Sequence, residues 1–204
     1  VCPRHECNRI FSRGSLSDDA GGLRIACTWE EAPPPRPRAD LVLALPRPKV
    51  LKRLWPVLGA VGAGRIDLTN AWKVEKPYFA SDALSPNVWR GGLAEGLEQA
   101  RNTWMPQVRL HKHLRALLED DIPSREPAAL LVADPGPGAE DVFAVAADLK
   151  RRDGRACVAI GPEGGWTEAE LGLFARLGWK RISWGEGRIL RSDTATAVFL
   201  AAFA

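Results

Sequence analysis

Several things are scarce in this chain of 204 residues, and each scarcity excludes a class of protein. No apolar run is long enough to cross a bilayer, and the first residues show no signal-peptide pattern, so neither a membrane span nor secretion is expected. The four cysteines, at positions 2, 7, 27 and 157, are widely spread. They read as free thiols of a reducing cytosol. Cys2, His5 and Cys7 invite a metal, but their spacing fits no common zinc pattern and no second pair follows, so no metal is expected. Net charge is only +3, too little by itself to announce a nucleic-acid partner. There is no internal repeat and no low-complexity tract. The chain begins at Val1, as a fragment or processed product would.

Apolar residues make up 46% of the chain, enough for a sizeable core. Residues 1–39 are poorly patterned, with β-like runs around Ile10-Phe11 and Leu23–Trp29. A Pro-rich linker, Ala32–Arg38, closes them off, because it can continue neither a helix nor a ladder. From Asp40 the pattern is α/β. Leu41–Leu45, Arg65–Leu68, Val108–Leu110, Leu130–Asp134, Cys157–Ile160 and Arg181–Trp184 read as strands. Pro46–Ala60, Leu93–Arg101, His111–Leu118, Asp141–Leu149 and the run after Thr167 read as helices. Alternation of this kind predicts a parallel sheet with helices on both faces.

Two of these strands empty into unusual loops. The first is Gly161-Pro162-Glu163-Gly164-Gly165-Trp166. Pro162 removes a donor, and Gly164 and Gly165 permit positive φ and close approach of a ligand. Thr167 and Glu170 have capping-box spacing at the start of the next helix. The second loop is Gly185-Glu186-Gly187-Arg188-Ile189-Leu190-Arg191, leading through Ser192-Asp193-Thr194, another expected cap, into an apolar final helix. No Gly-Lys-Ser/Thr follows, so the first loop is not a P-loop. Alone it reads as an ordinary strand-to-helix turn. Two such loops near each other place backbone N–H groups and helix N-termini where open α/β sheets hold ligands.

Gly-Pro-Glu-Gly-Gly, followed some twenty residues later by Arg188-Ile-Leu-Arg-Ser-Asp-Thr-Ala195, resembles the C-terminal signature of the SPOUT methyltransferases. More narrowly it resembles the 16S rRNA uracil-N3-methyltransferase family. The family's usual second motif is Leu-Gly-x-Arg-Ile-Leu-Arg-Thr-Glu-Thr-Ala. Here Trp184 stands for the Leu, one more residue separates Gly185 from Arg188, and Asp193 takes the place of the Glu. Leu43–Lys49 resembles the family's first strand and its Pro-Lys turn. Glu98-Gln99 with Arg101 resembles its Glu-Gln-x-x-Arg motif, with the Arg one place early. The likeness runs from Leu41 to Ala204.

The resemblance implies a SPOUT domain over residues 40–204, with a C-terminal trefoil knot that binds S-adenosylmethionine. It also implies a PUA-like barrel ahead of that domain. Residues 1–39 are too few for a whole barrel and are expected to be a truncated remnant. Ala133, Asp134, Pro135, Gly161, Pro162, Glu163, Gly164, Gly165, Gly185, Ile189, Leu190 and Thr194 are the implied cofactor wall. Arg191 is the implied holder of charge on uracil, since a guanidinium can bridge two carbonyls and stays charged. Asp193 or Glu163 could accept the N3 proton, or Asp193 could simply cap and orient. Arg101, Lys76 and Arg188 are expected on RNA, with Lys73, Arg109, His111 and Lys112 as further bases of a phosphate track. The tryptophans are expected to fill core or interface. The final helix, apolar on all sides, is expected to be buried against a second subunit, matching the family's homodimers.

The leading expectation is therefore a cytoplasmic, S-adenosylmethionine-dependent methyltransferase acting on 16S rRNA of the small ribosomal subunit. A non-catalytic RNA-binding or ribosome-assembly protein that kept the knotted fold is the alternative. A generic nucleotide-binding α/β protein, without knot or dimer, is a third.

Overall fold

The computed structural model describes residues 11–19, 22–29, 34–185 and 188–204. Cys2, His5 and Cys7, together with Glu186 and Gly187 of the second loop, lie outside the described residues. Strands β1 (Phe11–Asp19) and β2 (Gly22–Trp29) pair antiparallel as a separate two-stranded sheet.

The body begins with β3 (Ala39–Ala44), α1 (Pro48–Val61) and β4 (Arg65–Thr69). Two 3-10 turns, Lys76–Ala80 and Asp82–Leu84, lead to α2 (Pro86–Gln99) and β5 (Gln107–His111). A one-turn helix α3 (Leu114–Ala116) runs into a π turn at Leu117–Asp121 and a 3-10 turn at Pro123–Arg125. Then follow β6 (Ala129–Ala133), β7 (Glu140–Asp141), α4 (Val142–Arg151) and β8 (Ala156–Ile160). The chain closes with α5 (Glu168–Arg176), β9 (Lys180–Ser183) and α6 (Ser192–Ala201).

Seven of the strands form one sheet in the order β5-β4-β3-β8-β6-β9-β7, and every pairing in it is parallel. All residues of β3, β4 and β8 are buried. Successive strand side chains point to opposite faces, so both faces of the sheet's centre are covered. The core runs from Leu41 and Leu43 through Trp55, Leu58, Ile66 and Leu93 to Val158, Phe174 and Ile182. Beside it, Trp166, Phe174 and Trp179 stack edge to face at 4.9 and 5.0 Å.

Two expectations are corrected. Helix α2 begins at Pro86, seven residues before Leu93. Gly91 and Gly92 hide the first half of the helix from a periodicity reading, yet Gly92 and Gly96 let it lie directly on α1. A Cβ on Gly92 would stand 2.6 Å from Trp55 Cβ, and one on Gly96 would stand 2.0 Å from the Pro56 carbonyl oxygen. His111 ends β5 instead of opening a helix. In the final helix Ala195, Phe199 and Leu200 are inside this chain, Ala197 and Val198 are half-buried and Ala201 is exposed.

A charged group lies within the apolar body. Asp67 is 0% exposed. It accepts from Arg65 Nε at 3.1 Å and Arg125 Nη1 at 2.6 Å, and His111 Nε2 lies 2.8 Å away. Asp121 brings a second carboxylate, 3.2 Å from Arg65 and 2.9 Å from Arg125. Asp67, His111 and Asp121 gather ligand atoms within 4.8 Å of one another. The two guanidiniums already supply the positive charge, so the group reads as a buried ion-pair network.

Candidate active site

The carboxyl ends of β8, β6 and β9 surround a cavity of about 350 Å³. The two loops singled out in the sequence both line it, although their strands are not neighbours; β6 lies between β8 and β9. The β6 end supplies Ala133, Asp134 and Pro135. The first loop supplies Gly161, Pro162, Glu163, Gly164 and Gly165, and the second supplies Ile189 and Leu190. Ten of the twelve residues expected on the cofactor are thus brought together. Gly185 and Thr194 are not among the lining residues, and neither are Arg191 and Asp193.

The first loop is held by local chemistry. Gly165 N–H donates to the Pro162 carbonyl at 2.8 Å, and Gly165 takes φ +70°, a region open to glycine. The expected capping box is present: Thr167 accepts the Glu170 N–H at 3.3 Å, and Glu170 accepts the Thr167 N–H at 2.8 Å. Distant residues clamp the same loop. Arg47 N–H donates to Glu163 Oε1 at 3.0 Å and Lys73 Nζ to the Gly164 carbonyl at 2.6 Å, while Trp72 N–H donates to Glu170 Oε1 in the first turn of α5 at 2.8 Å.

Asp134 fixes the middle wall. Its N–H donates to the Ile182 carbonyl at 3.1 Å and its carboxylate accepts the Gly136 N–H at 3.1 Å. Arg181 stands 3.4 Å from the same carboxylate. In the second loop Gly185 takes φ +65° and Arg188 Cζ lies 5.7 Å from the Trp184 ring centre. Arg188, expected on RNA, lines the cavity.

Arg191 and Asp193 sit just past the cavity wall. Arg191 is the N-cap residue of α6, and its side chain makes no cap bond, so the expected Ser-Asp-Thr cap is absent. Arg191 is 72% exposed and donates to Asp193 Oδ2 at 3.3 Å. Asp193 also accepts the Thr194 N–H at 2.9 Å and lies 3.8 Å from Arg53. Among the bases expected on RNA, Lys76 and Arg101 are exposed, and Arg101 holds φ +53° directly after α2.

Sequence reasoning missed several walls. Ile160, Ile182, Ser183, Trp184, Ser192, Ala195 and Phe199 also line the cavity. The β6, β8 and β9 ends were legible as strand ends; Phe199 was not, because only the packing of α6 turns it inward. Trp166 was expected as filler and is buried, but its indole N–H has no partner. Trp72, expected as filler, is 84% exposed.

Fold and cavity together define a parallel α/β domain with a glycine-lined cleft at the carboxyl ends of its strands. The chain belongs to the RNA methyltransferase domain family, whose model matches residues 33–204. The ribosomal RNA small subunit methyltransferase E of Treponema pallidum is 29% identical over 157 residues, covering 76% of this chain and 57% of that relative. The protein of the same name from Synechocystis sp. is 32% identical over 115 residues, 55% of this chain and 36% of that one. The chain therefore spans little more than half of the first relative. The crystal structure of a ribosomal RNA small subunit methyltransferase E from Neisseria gonorrhoeae, bound to S-adenosyl methionine, superposes with a TM-score of 0.70. It is 18% identical and covers 93% of this chain and 76% of that one. No helix among the described residues is long and apolar enough to cross a membrane.

Proposed function

We propose that this chain is an S-adenosylmethionine-dependent methyltransferase of the small subunit's 16S rRNA, acting on uracil N3. One observation carries the reading: both glycine-rich loops and the β6 end line a single cavity. Its volume, about 350 Å³, falls within the range of small-molecule sites. The lining fits the cofactor: glycine backbone in the first loop, apolar Ile160, Ile182, Leu190 and Phe199 in the same walls, and an unpartnered buried Trp166 N–H beside Gly161. S-adenosylmethionine, when bound, supplies a sulfonium methyl.

The protein's own groups then have three tasks. Gly161–Gly165, Ile189 and Leu190 hold the nucleoside and aim it. Arg191, on the rim beside Leu190, faces solvent where a uracil can arrive and holds the charge that grows on its carbonyls. Its ion pair with Asp193 orients it. Loss of the N3 proton falls to Asp193 or Glu163, both within the same turns. Arg101 and Lys76 contact the RNA backbone, and Arg188 reaches it from the cavity wall. Gly185 and Thr194 shape the second loop and the first turn of α6.

The same reading makes residues 40–204 the SPOUT domain and residues 1–39 a remnant of a PUA-like barrel. It places the chain in the cytoplasm, threads the segment after β9 as a trefoil knot, and pairs two copies through the knotted domain. Two measurements test the core of it. Calorimetric titration with S-adenosylmethionine is expected to give one site per chain. Mass mapping of 16S rRNA treated with enzyme and cofactor is expected to show one added methyl on a uridine. Absence of binding removes the enzyme reading in favour of a non-catalytic RNA-binding or assembly protein.

A further inference from the structure

We propose that the arginine-lined cavity at the amino ends of the strands binds the phosphoryl group of a nucleotide, free or within an RNA strand. The cavity is large, about 870 Å³. Its walls are the first residues of β3, β4, β5 and β8, so it lies at the pole of the sheet opposite the methyl-transfer cleft. Five-residue strands at roughly 3.3 Å per residue keep the two about 15 Å apart.

Six guanidiniums line it, those of Arg36, Arg65, Arg90, Arg109, Arg125 and Arg155. Two carboxylates line it with them, Asp40 and Glu126. Asp40 serves two arginines at once, Arg36 at 2.7 Å and Arg155 at 3.0 Å. Arg65 and Arg125 are matched from behind by Asp67 and Asp121. Arg90 and Arg109 are exposed and form no ion pair among the described residues. Positive charge is thus left over in the cavity. Burial holds the Arg155 guanidinium below its usual range; the charge of Asp40 opposes that shift, and Arg36 and Arg38 add to it.

The shape of the surplus selects the ligand. Guanidiniums present paired N–H donors that match the oxygens of a phosphate and stay charged. Trp89 and Trp104, both half-buried, flank them. Arg90 Cζ lies 5.1 Å from the Trp89 ring centre. An aromatic face beside a phosphate site accepts a nucleobase of any identity. A bare inorganic anion uses only half of this arrangement.

The test titrates the full chain with uridine monophosphate, with a short single-stranded RNA and with inorganic phosphate, following heat or tryptophan fluorescence. The same titrations are run on Arg90→Ala/Arg109→Ala, whose exposed side chains leave the fold intact, as circular dichroism will check. The nucleotide or the RNA is expected to bind more tightly than phosphate. The double variant is expected to weaken binding about tenfold or more. S-adenosylmethionine is expected neither to compete nor to change in affinity between the two proteins. RNA much tighter than the mononucleotide identifies a strand as the ligand; equal affinity identifies a free nucleotide. No binding of either, displacement by S-adenosylmethionine, or an unaffected double variant overturns the proposal. Failure of S-adenosylmethionine to bind at all removes the methyltransferase reading and leaves this one standing.

Discussion

Asp67 shows what a single side chain commits the fold to. It is wholly buried and bonded to two guanidiniums, so Asp67→Asn leaves buried positive charge underpaired. The substitution is expected to destabilise the protein by about 3 kcal/mol, measured by urea denaturation. Asp121, in the same network, gives it a pH dependence. Burial would raise its pKa, but the hydrogen bonds and charge of Arg125, with Arg65 and His111, outweigh burial and hold it below the ordinary carboxylate value. A carboxyl depressed in the folded state stabilises above its unfolded pKa of about 3.9, and that stabilisation fades as pH falls through the lower folded value. Denaturation midpoints measured below about pH 4 should therefore fall less steeply in Asp121→Asn than in the parent protein. At the cleft, Arg191→Ala is expected to lower kcat about a hundredfold while leaving S-adenosylmethionine affinity unchanged in calorimetry. A matched loss of affinity would move Arg191 from the uracil to the cofactor.

Two helices carry the predictions at the scale of elements. α1 and α2 approach until Gly96 touches backbone, so Gly96→Ala must push the helices apart. A cost of about 3 kcal/mol is expected by urea denaturation, whereas Gly91→Ala, where a Cβ meets nothing within 4 Å, should be neutral or stabilising. Here the sequence was legible only in part. Apolar strand runs such as Leu41–Leu45 declare themselves because every residue is buried. The glycines of α2 look like a break in a helix, since their reason is a partner helix some forty residues away. β7 is two acidic residues, too short to show alternation; Glu140 pairs with Lys180 of β9 at 3.4 Å and Asp141 caps α4. The loops of the cleft were legible because glycine positions and caps are local. The Asp67 network was not, because its partners arrive from positions 111, 121 and 125.

On the scale of the whole molecule, the parallel sheet separates two poles of different chemistry. Its carboxyl ends carry glycine backbone and apolar walls, and its amino ends carry guanidiniums. Ligand at the first pole should stabilise the entire fold by mass action. At a hundred times its Kd, S-adenosylmethionine is expected to add about 2.7 kcal/mol, which raises Tm by roughly 5 to 10 °C in differential scanning calorimetry. The half-buried Ala197 and Val198 on α6 suit a second copy, and light scattering is expected to report twice the mass of the 22.3 kDa chain.

The cleft draws its walls from Ala133, from Gly161 and from Phe199, so it closes only when α6 joins the strand ends made well before it. A growing chain therefore has no complete cleft until Phe199 has been made and α6 has packed. A chain cut after β9 would keep every strand of the seven-stranded sheet yet lack the α6 wall of the cleft, so sheet and cavity part company at that point.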